Sequence, residues 1–145
     1  MNQLTLNIPQ LDEEATKSKA EKLLDQYRLY LLQVPDDLLP KVTPTYSIVP
    51  PSITNEFHSS TEEAALKRLD WEIQRDKFVK RIQRAVNRLS QRERKIIVML
   101  YMQPEEKYDY EVYAEMDMSP RSYYRVKAKA LRKLAIALRE EVYKK

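Results

Sequence analysis

The sequence predicts an all-α fold, and three observations predict it. Its 145 residues include no glycine, and tight hairpins need backbone at positive φ, which glycine supplies most readily. A third of the residues are charged, with Leu, Ala, Lys, Arg and Glu dominant, a helix-forming composition. Apolar residues also recur at helical spacing over several long segments.

Composition bounds function as well. Without glycine there is no Gly-rich phosphate loop and no dinucleotide fingerprint. Without cysteine there are no disulfides or thiolate metal sites, and the redox compartment is open. No run approaches the roughly 18–20 apolar residues of a membrane span. The N-terminus, MNQLTLNIPQLDEE, lacks a basic start followed by an apolar stretch, so the expectation is cytoplasm and no membrane partner. The net charge of +4 is unevenly spread. Residues 1–62 carry 5 Lys/Arg against 9 Asp/Glu, and residues 63–145 carry 21 against 13. Between Arg121 and Arg139 there are 7 basic residues and no acid. Such asymmetry implies a polyanionic partner for the C-terminal part, or a plain solvated helix face.

Taken in order, residues 1–11 show no clear period. Asp12 is an N-cap followed by Glu13 and Glu14, which suit a helix start. Ala20, Leu23, Leu24, Tyr27, Tyr30, Leu31 and Val34 then define a first helix over 12–33, stopped by Pro35. Five prolines in 35–57 read as extended connector: Pro35, Pro40, Pro44, Pro50 and Pro51. Its apolar residues, among them Leu38, Ile48, Ile53 and Phe57, leave two readings open: a simple linker, or a strand lying in a groove. His58, the only histidine, reads as a surface residue.

Ser60 with Glu63 forms a capping box that opens a second helix over 61–88. Ala64, Trp71, Phe78, Ile82, Ala85, Val86 and Leu89 form one stripe, with Trp71 a packing anchor. Leu66, Leu69 and Ile73 form a second stripe on the opposite side of the first half. A helix apolar on two sides needs two partners, and the second stripe is a candidate homo-oligomer contact. Ser90 with Glu93 is another capping box, opening a helix with Ile96, Ile97, Leu100 and Tyr101 inward and ended by Pro104. Asp109 then caps a short helix offering Tyr110, Val112, Tyr113 and Met116 for burial.

Residues 109–126 have the form of a helix-turn-helix: two turns of helix, a short turn at Asp117-Met118, then a helix with Ser119 as N-cap and Pro120 at its first position. Val112, Met116, Met118, Tyr123 and Val126 are its expected shared core. At about 100° per residue, Tyr123, Val126, Ala130, Leu131, Leu134 and Leu138 fall on one side of the last helix, and Arg121, Arg125, Lys129 and Arg132 on the other. Lys127 falls toward the apolar side. In major-groove recognition the first turns meet base edges and later cations meet phosphates. Arg121 and Arg125 are thus candidates for guanine contacts, with Ser122 and Tyr124 beside them, and Lys129 and Arg132 are candidate phosphate anchors. Two departures stand out. Asp117 occupies the usual glycine position of the turn, and Tyr113 replaces a small residue between the helices.

MSPRSYYRVKAKALRKL (118–134) and LSQRERKIIVMLY (89–101) resemble the fourth region of bacterial sigma factors. The resemblance implies a sigma-like helix-turn-helix with DNA contacts at Arg121, Ser122, Tyr124 and Arg125. Pro120 departs from that pattern, where sigma factors carry a polar or basic residue, so the promoter read is not inherited. The whole layout resembles the ArpU family of phage transcriptional regulators, through DQYRLYLLQ, PKVTPTYSIVPPS, FHSSTEEAALKRLD, LSQRERKIIVMLY and DYEVYAEMDMSPRSYYRVKAKALRKLA. It implies a regulator of late, packaging or lysis genes.

The sequence therefore yields an N-terminal helical segment (1–34), a Pro-rich connector (35–59) and a helical DNA-binding domain (60–145) with its helix-turn-helix at about 109–139. The expected partner is double-stranded DNA, with RNA polymerase as a further candidate. No cofactor or enzyme activity is expected, since no nucleophile, base or metal set is apparent. The competing reading is a protein-interaction module: a polymerase-gripping sigma-like factor or a DNA-packaging adaptor.

Overall fold

The structure, a computed structural model, describes residues 9–34, 39–49 and 62–145, apart from the side chains of 63–65. Among the described residues five helices and one small sheet follow one another: α1 (Glu13–Leu31), β1 (Lys41–Val42), β2 (Ile48–Val49), α2 (Glu62–Asn87), α3 (Gln91–Tyr101), α4 (Asp109–Glu115) and α5 (Pro120–Ala137). The Ser60–Glu63 box, His58, Pro35, Pro50 and Pro51 lie outside the described residues.

Helix starts follow local chemistry. Asp12 accepts the Ala15 amide at 3.1 Å and leads two acids in the first turn of α1. At α3 both arms of the capping box form. The Glu93 amide donates to the Ser90 hydroxyl at 3.4 Å, and the Ser90 amide donates to the Glu93 carboxylate at 3.0 Å. Burial pushes the Glu93 carboxyl up. The Ser90 hydrogen bonds and the Lys133 ammonium at 3.1 Å outweigh it, so the group sits below the usual range.

The centre of the core is α3, which is buried continuously from Ile96 to Tyr101. Val98 and Met99 join the expected inward residues because the other helices pack around α3 from several directions. Each fully buried Leu, Ile or Val contributes about 1.5–3 kcal/mol relative to exposure. Helix α1 runs along α5 and buries Thr16, Ala20, Leu24 and Tyr27. Tyr27 stays in hydrogen-bond contact with Gln83 at 3.2 Å, and burial raises its pKa to about 12. The chain end straps α1 in place. Thr16 exchanges hydrogen bonds with Val142 at 3.2 and 3.0 Å, the Asp12 amide donates to the Val142 carbonyl at 2.8 Å, and Leu11 bridges Tyr143. Arg28 reaches the carbonyl of Leu100 at 2.7 Å, closing the C-terminal end of α3.

The all-α expectation needs one correction. Within the connector, β1 and β2 pair antiparallel, Val42 opposite Ile48. Pro44 sits in a turn closed by the Tyr46 amide on the Thr43 carbonyl at 2.8 Å, and Tyr46 takes φ 60° where a hairpin often uses glycine. Asn87 at the end of α2 clamps Ile48 through both backbone groups, at 3.0 and 3.1 Å. The described part of the connector thus lies against its own protein.

Two further expectations change. Asp109 is the first residue of α4 and not its cap; Tyr108 holds the cap position, and its amide donates to Glu111 at 3.0 Å. Tyr110 is 59% exposed, stacked on Tyr108 with ring centroids 5.7 Å apart. Along α2, Val79, Ile82, Ala85 and Val86 are buried, whereas Trp71 is 46% exposed and meets Tyr30 edge-on at 6.2 Å. Leu66, Leu69 and Ile73 are exposed.

The turn between α4 and α5 is a Schellman closure without glycine. Met118 donates to the Tyr113 carbonyl at 2.9 Å and Asp117 to that of Ala114 at 3.2 Å, with Asp117 at φ 55°. The end of α5 repeats the device: Glu140 donates to Ala135 at 2.9 Å, Arg139 to Ile136 at 3.0 Å, and Arg139 takes φ 56°.

Two outcomes follow. Asp117→Gly should be neutral or stabilising by up to about 1 kcal/mol, and Asp117→Val should destabilise by about 1–2 kcal/mol, measured by urea unfolding. Glu93→Ala should cost about 1–2 kcal/mol at pH 7. The folded Glu93 pKa lies below its unfolded value, so its stabilisation is complete above the ordinary glutamate range and is lost as pH falls through the depressed value. The gap between wild type and Glu93→Ala should therefore narrow on acidification; a gap that widens contradicts the assignment.

Candidate nucleic-acid interface

Helix α5 is built to have two unlike sides. Its back is apolar and closed: Tyr123, Ala130, Leu131, Leu134 and Ala135 are buried. Its start is fixed by Ser119, whose hydroxyl accepts the Ser122 amide at 3.2 Å, and by Pro120, whose missing N–H costs nothing there. Arg121, Arg125 and Lys129 follow at steps of four, and all three are exposed. None has a carboxylate within 4 Å among the described residues. Residues four apart lie one above another on a helix, so these cations form a stripe about 12 Å long.

The other sequence candidates sit differently. Ser122 is half-buried at the edge of the stripe. Tyr124 is 49% exposed and leans to the other edge, where its ring meets Tyr123 at 5.2 Å and Tyr113 at 6.5 Å. Arg132 shares the general direction of the stripe but is engaged: its guanidinium meets Glu13 of α1 at 3.0 Å. That pair is exposed on both sides and holds little energy, about 0–1 kcal/mol, so Arg132 is readily released to another anion.

One element of the site escaped the sequence. The Asp109 carboxylate accepts from the Tyr123 hydroxyl at 2.6 Å and from the Lys127 ammonium at 2.8 Å. Tyr123 and Lys127 lie one turn apart on α5, so a single carboxylate ties two turns of that helix to the first residue of α4. Lys127 also stands 5.9 Å from the rings of Tyr101 and Tyr124. Its charge is spent inside the motif. Burial, and then the Asp109 contact, push the Tyr123 hydroxyl well above the usual tyrosine range, so it stays a neutral donor. The i, i+4 spacing of Tyr123 and Lys127 with Asp109 at the helix start was the available signal.

Tyr113 takes the place between α4 and α5 where a small residue is usual. Its ring is partly buried and packs on Tyr123 at 5.4 Å, inclined 57°, so aromatic packing replaces close helix approach. The flank of α5 toward α1 is acidic in part: Glu14 and Glu21, with Lys17 and Ser18, face Tyr124, Lys127, Ala128 and Leu131 across a shallow hollow. Among the described residues no group of three or more His, Cys, Asp or Glu is placed to hold a metal ion, and no helix is long and apolar enough to cross a membrane.

Comparison with known proteins finds phage relatives of this chain. The chain is 35% identical over 131 residues to the uncharacterized phage-related protein Lin1259/Lin1739 of Listeria innocua, across 90% of this chain and 92% of that protein. It is 30% identical over 145 residues to protein Gp66 of Listeria phage A118, across 98% of this chain and 99% of that protein. No family model matches the chain, and no solved structure matches it. With near-complete overlap at these identities, the chain belongs to the family of these Listeria phage proteins.

Proposed function

We propose that this protein is a sequence-specific regulator of phage transcription that binds double-stranded DNA and reads the major groove with α5. One observation carries the proposal: an exposed cationic stripe, Arg121–Arg125–Lys129, unpaired among the described residues, on a helix whose back is buried and whose angle to α4 is locked by Asp109. A major groove is about 12 Å wide and admits one helix, and guanidinium groups pair bidentately with guanine O6 and N7. Arg121 and Arg125, in the first two turns, are assigned to base edges, with Ser122 and Tyr124 at the borders of that surface. Lys129 and a released Arg132 are assigned to phosphates. The sigma-like form of the motif and the ArpU-like layout support the finer reading, a regulator of late, packaging or lysis genes. RNA polymerase is the natural second partner of a protein with that form.

A second feature favours a self-associating regulator. Leu66, Leu69 and Ile73 are 60%, 41% and 40% exposed on the first half of α2. Isolated exposed leucines are ordinary, but three on one helical face are a candidate contact between two copies. Two-fold pairing of the copies would match paired half-sites on DNA.

Selection from a random duplex pool, followed by fluorescence anisotropy, tests the proposal. Binding should weaken with salt by about 0.9 log units per neutralised phosphate. Arg125→Ala should relax preference at one base pair, at about 1–3 kcal/mol, whereas Lys129→Ala should weaken every sequence alike. Arg125→Ala with unchanged affinity and unchanged preference contradicts the docking. For self-association, light scattering of Leu69→Glu should show half the wild-type mass with an intact circular dichroism spectrum; a wild type already monomeric removes the contact.

A further inference from the structure

Beyond the stripe, the far end of α5 carries a second cationic feature. Arg88 at the end of α2, Lys133 on α5 and Arg139 just past α5 line a hollow of about 330 Å³ floored by Leu89, Ile136 and Ala137. The three cations come from two stretches of chain, the end of α2 and the last turns of α5 with its cap, brought together where the two helices end. Arg88 and Arg139 are exposed and have no carboxylate within 4 Å among the described residues. The nearby acids are already engaged. Glu93 is buried in its capping box and holds Lys133 at 3.1 Å, while Glu140 turns to Arg81 at 3.7 Å and Lys19 at 4.0 Å. Arg84, exposed and one turn before Arg88 on α2, extends the same cationic face.

We infer that this notch seats the sugar-phosphate strand bordering the groove that α5 enters, and so sets which way the duplex crosses the protein. The inference rests on the DNA-reading function proposed above and adds residues outside the helix-turn-helix. Its geometry follows from helix dimensions. Lys133 lies twelve residues beyond Arg121, about 18 Å along the axis. For a helix that enters a groove about 12 Å wide by its N-terminal end, with Arg121 on base edges, the notch lies beyond the groove's lip, where phosphates run. The apolar floor suits this place. Ile136, 47% exposed, offers a dry surface to deoxyribose, and lower local dielectric strengthens the neighbouring cation–phosphate attraction. The opposite flank of α5 faces a hollow where Glu14 and Glu21 of α1 stand with Lys17 and Lys127, Glu14 paired to Lys17 at 2.9 Å, so it carries no excess positive charge for a phosphate strand. One flank attracts phosphate and the other is balanced in charge, and that difference sets a direction.

The test uses the full chain, a duplex carrying its selected site and an unrelated duplex of equal length, with anisotropy titrations over a range of salt. Arg88→Gln with Arg139→Asn removes both arginine charges; Asn suits the left-handed backbone at 139. The salt slope should fall by about 1.8, or about 0.9 for each phosphate that is no longer neutralised. Affinity for the two duplexes should fall by the same factor, and thermal unfolding should stay unchanged. Arg88→Lys with Arg139→Lys should keep the wild-type slope. A wild-type slope in the Gln/Asn variant, with DNA still bound, overturns the notch while leaving the reading of α5 intact. So does a change in sequence preference without a change in slope. A wild-type chain that binds neither duplex at low salt overturns the DNA-reading function itself, and the notch with it.

Discussion

Helix α5 can show a cationic face to solvent only because its back is held from two directions, by α1 and by α3. Tyr123, Ala130, Leu131 and Leu134 have almost no exposure, and they meet different neighbours around the same half of the helix. Seven cations and no acid between Arg121 and Arg139 repel one another, a cost that an isolated helix of this sequence would meet alone. Here burial of the apolar half offsets it, at about 1.5–3 kcal/mol per large side chain. The repulsion is then retained as a field on one surface. Three of the seven cations are engaged by carboxylates: Lys127 by Asp109 inside the motif, Arg132 by Glu13 of α1, and Lys133 by the Glu93 cap.

The absence of glycine shapes the rest. Tyr46, Asp117 and Arg139 take positive φ at the hairpin turn and at two helix ends. A left-handed residue with a Cβ costs about 1–2 kcal/mol, less for Asp. At Asp117 and Arg139 the Schellman hydrogen bonds satisfy carbonyls that a helix end otherwise leaves open. Such turns have less conformational freedom in the unfolded chain than glycine would give them. A stiff turn at Asp117 together with the Asp109 clamp leaves the α4–α5 angle little freedom, which suits the role proposed for α5.

Much of this was legible in the residues. Asp12, the Ser90–Glu93 box and the Ser119–Pro120 pair mark helix starts because capping is local chemistry within four residues. The wheel of α5 separates its buried and exposed sides for the same reason. Long-range contacts were not legible. Nothing near Asp12 announces that α1 lies along α5, because that placement depends on a strap formed by Val142, more than a hundred residues away. The hairpin was hidden by its own prolines and by the expectation that its turn needs glycine, which Tyr46 replaces. Asp109 looked like a cap because Asp before a helix usually is one; its carboxylate is drawn instead to a hydroxyl and an ammonium that arrive from α5. Arg132 read as free from the wheel alone, and Glu13, on another helix, pairs it.

The length of α2 raises a separate argument. Its second half is core, through Val79, Ile82, Ala85 and Val86, with Phe78 on the ring of Tyr30, while in its first half Trp71 meets that same ring. About four turns, or roughly 24 Å, thus extend from the last well-packed contact. A helix of this length with few tertiary contacts is marginal in water, since propensity alone sustains only longer segments. Leu66, Leu69 and Ile73 lie along this half as a largely exposed apolar face among the described residues. A second surface laid on that face would bury these three side chains and stabilise the helix and the contact at once.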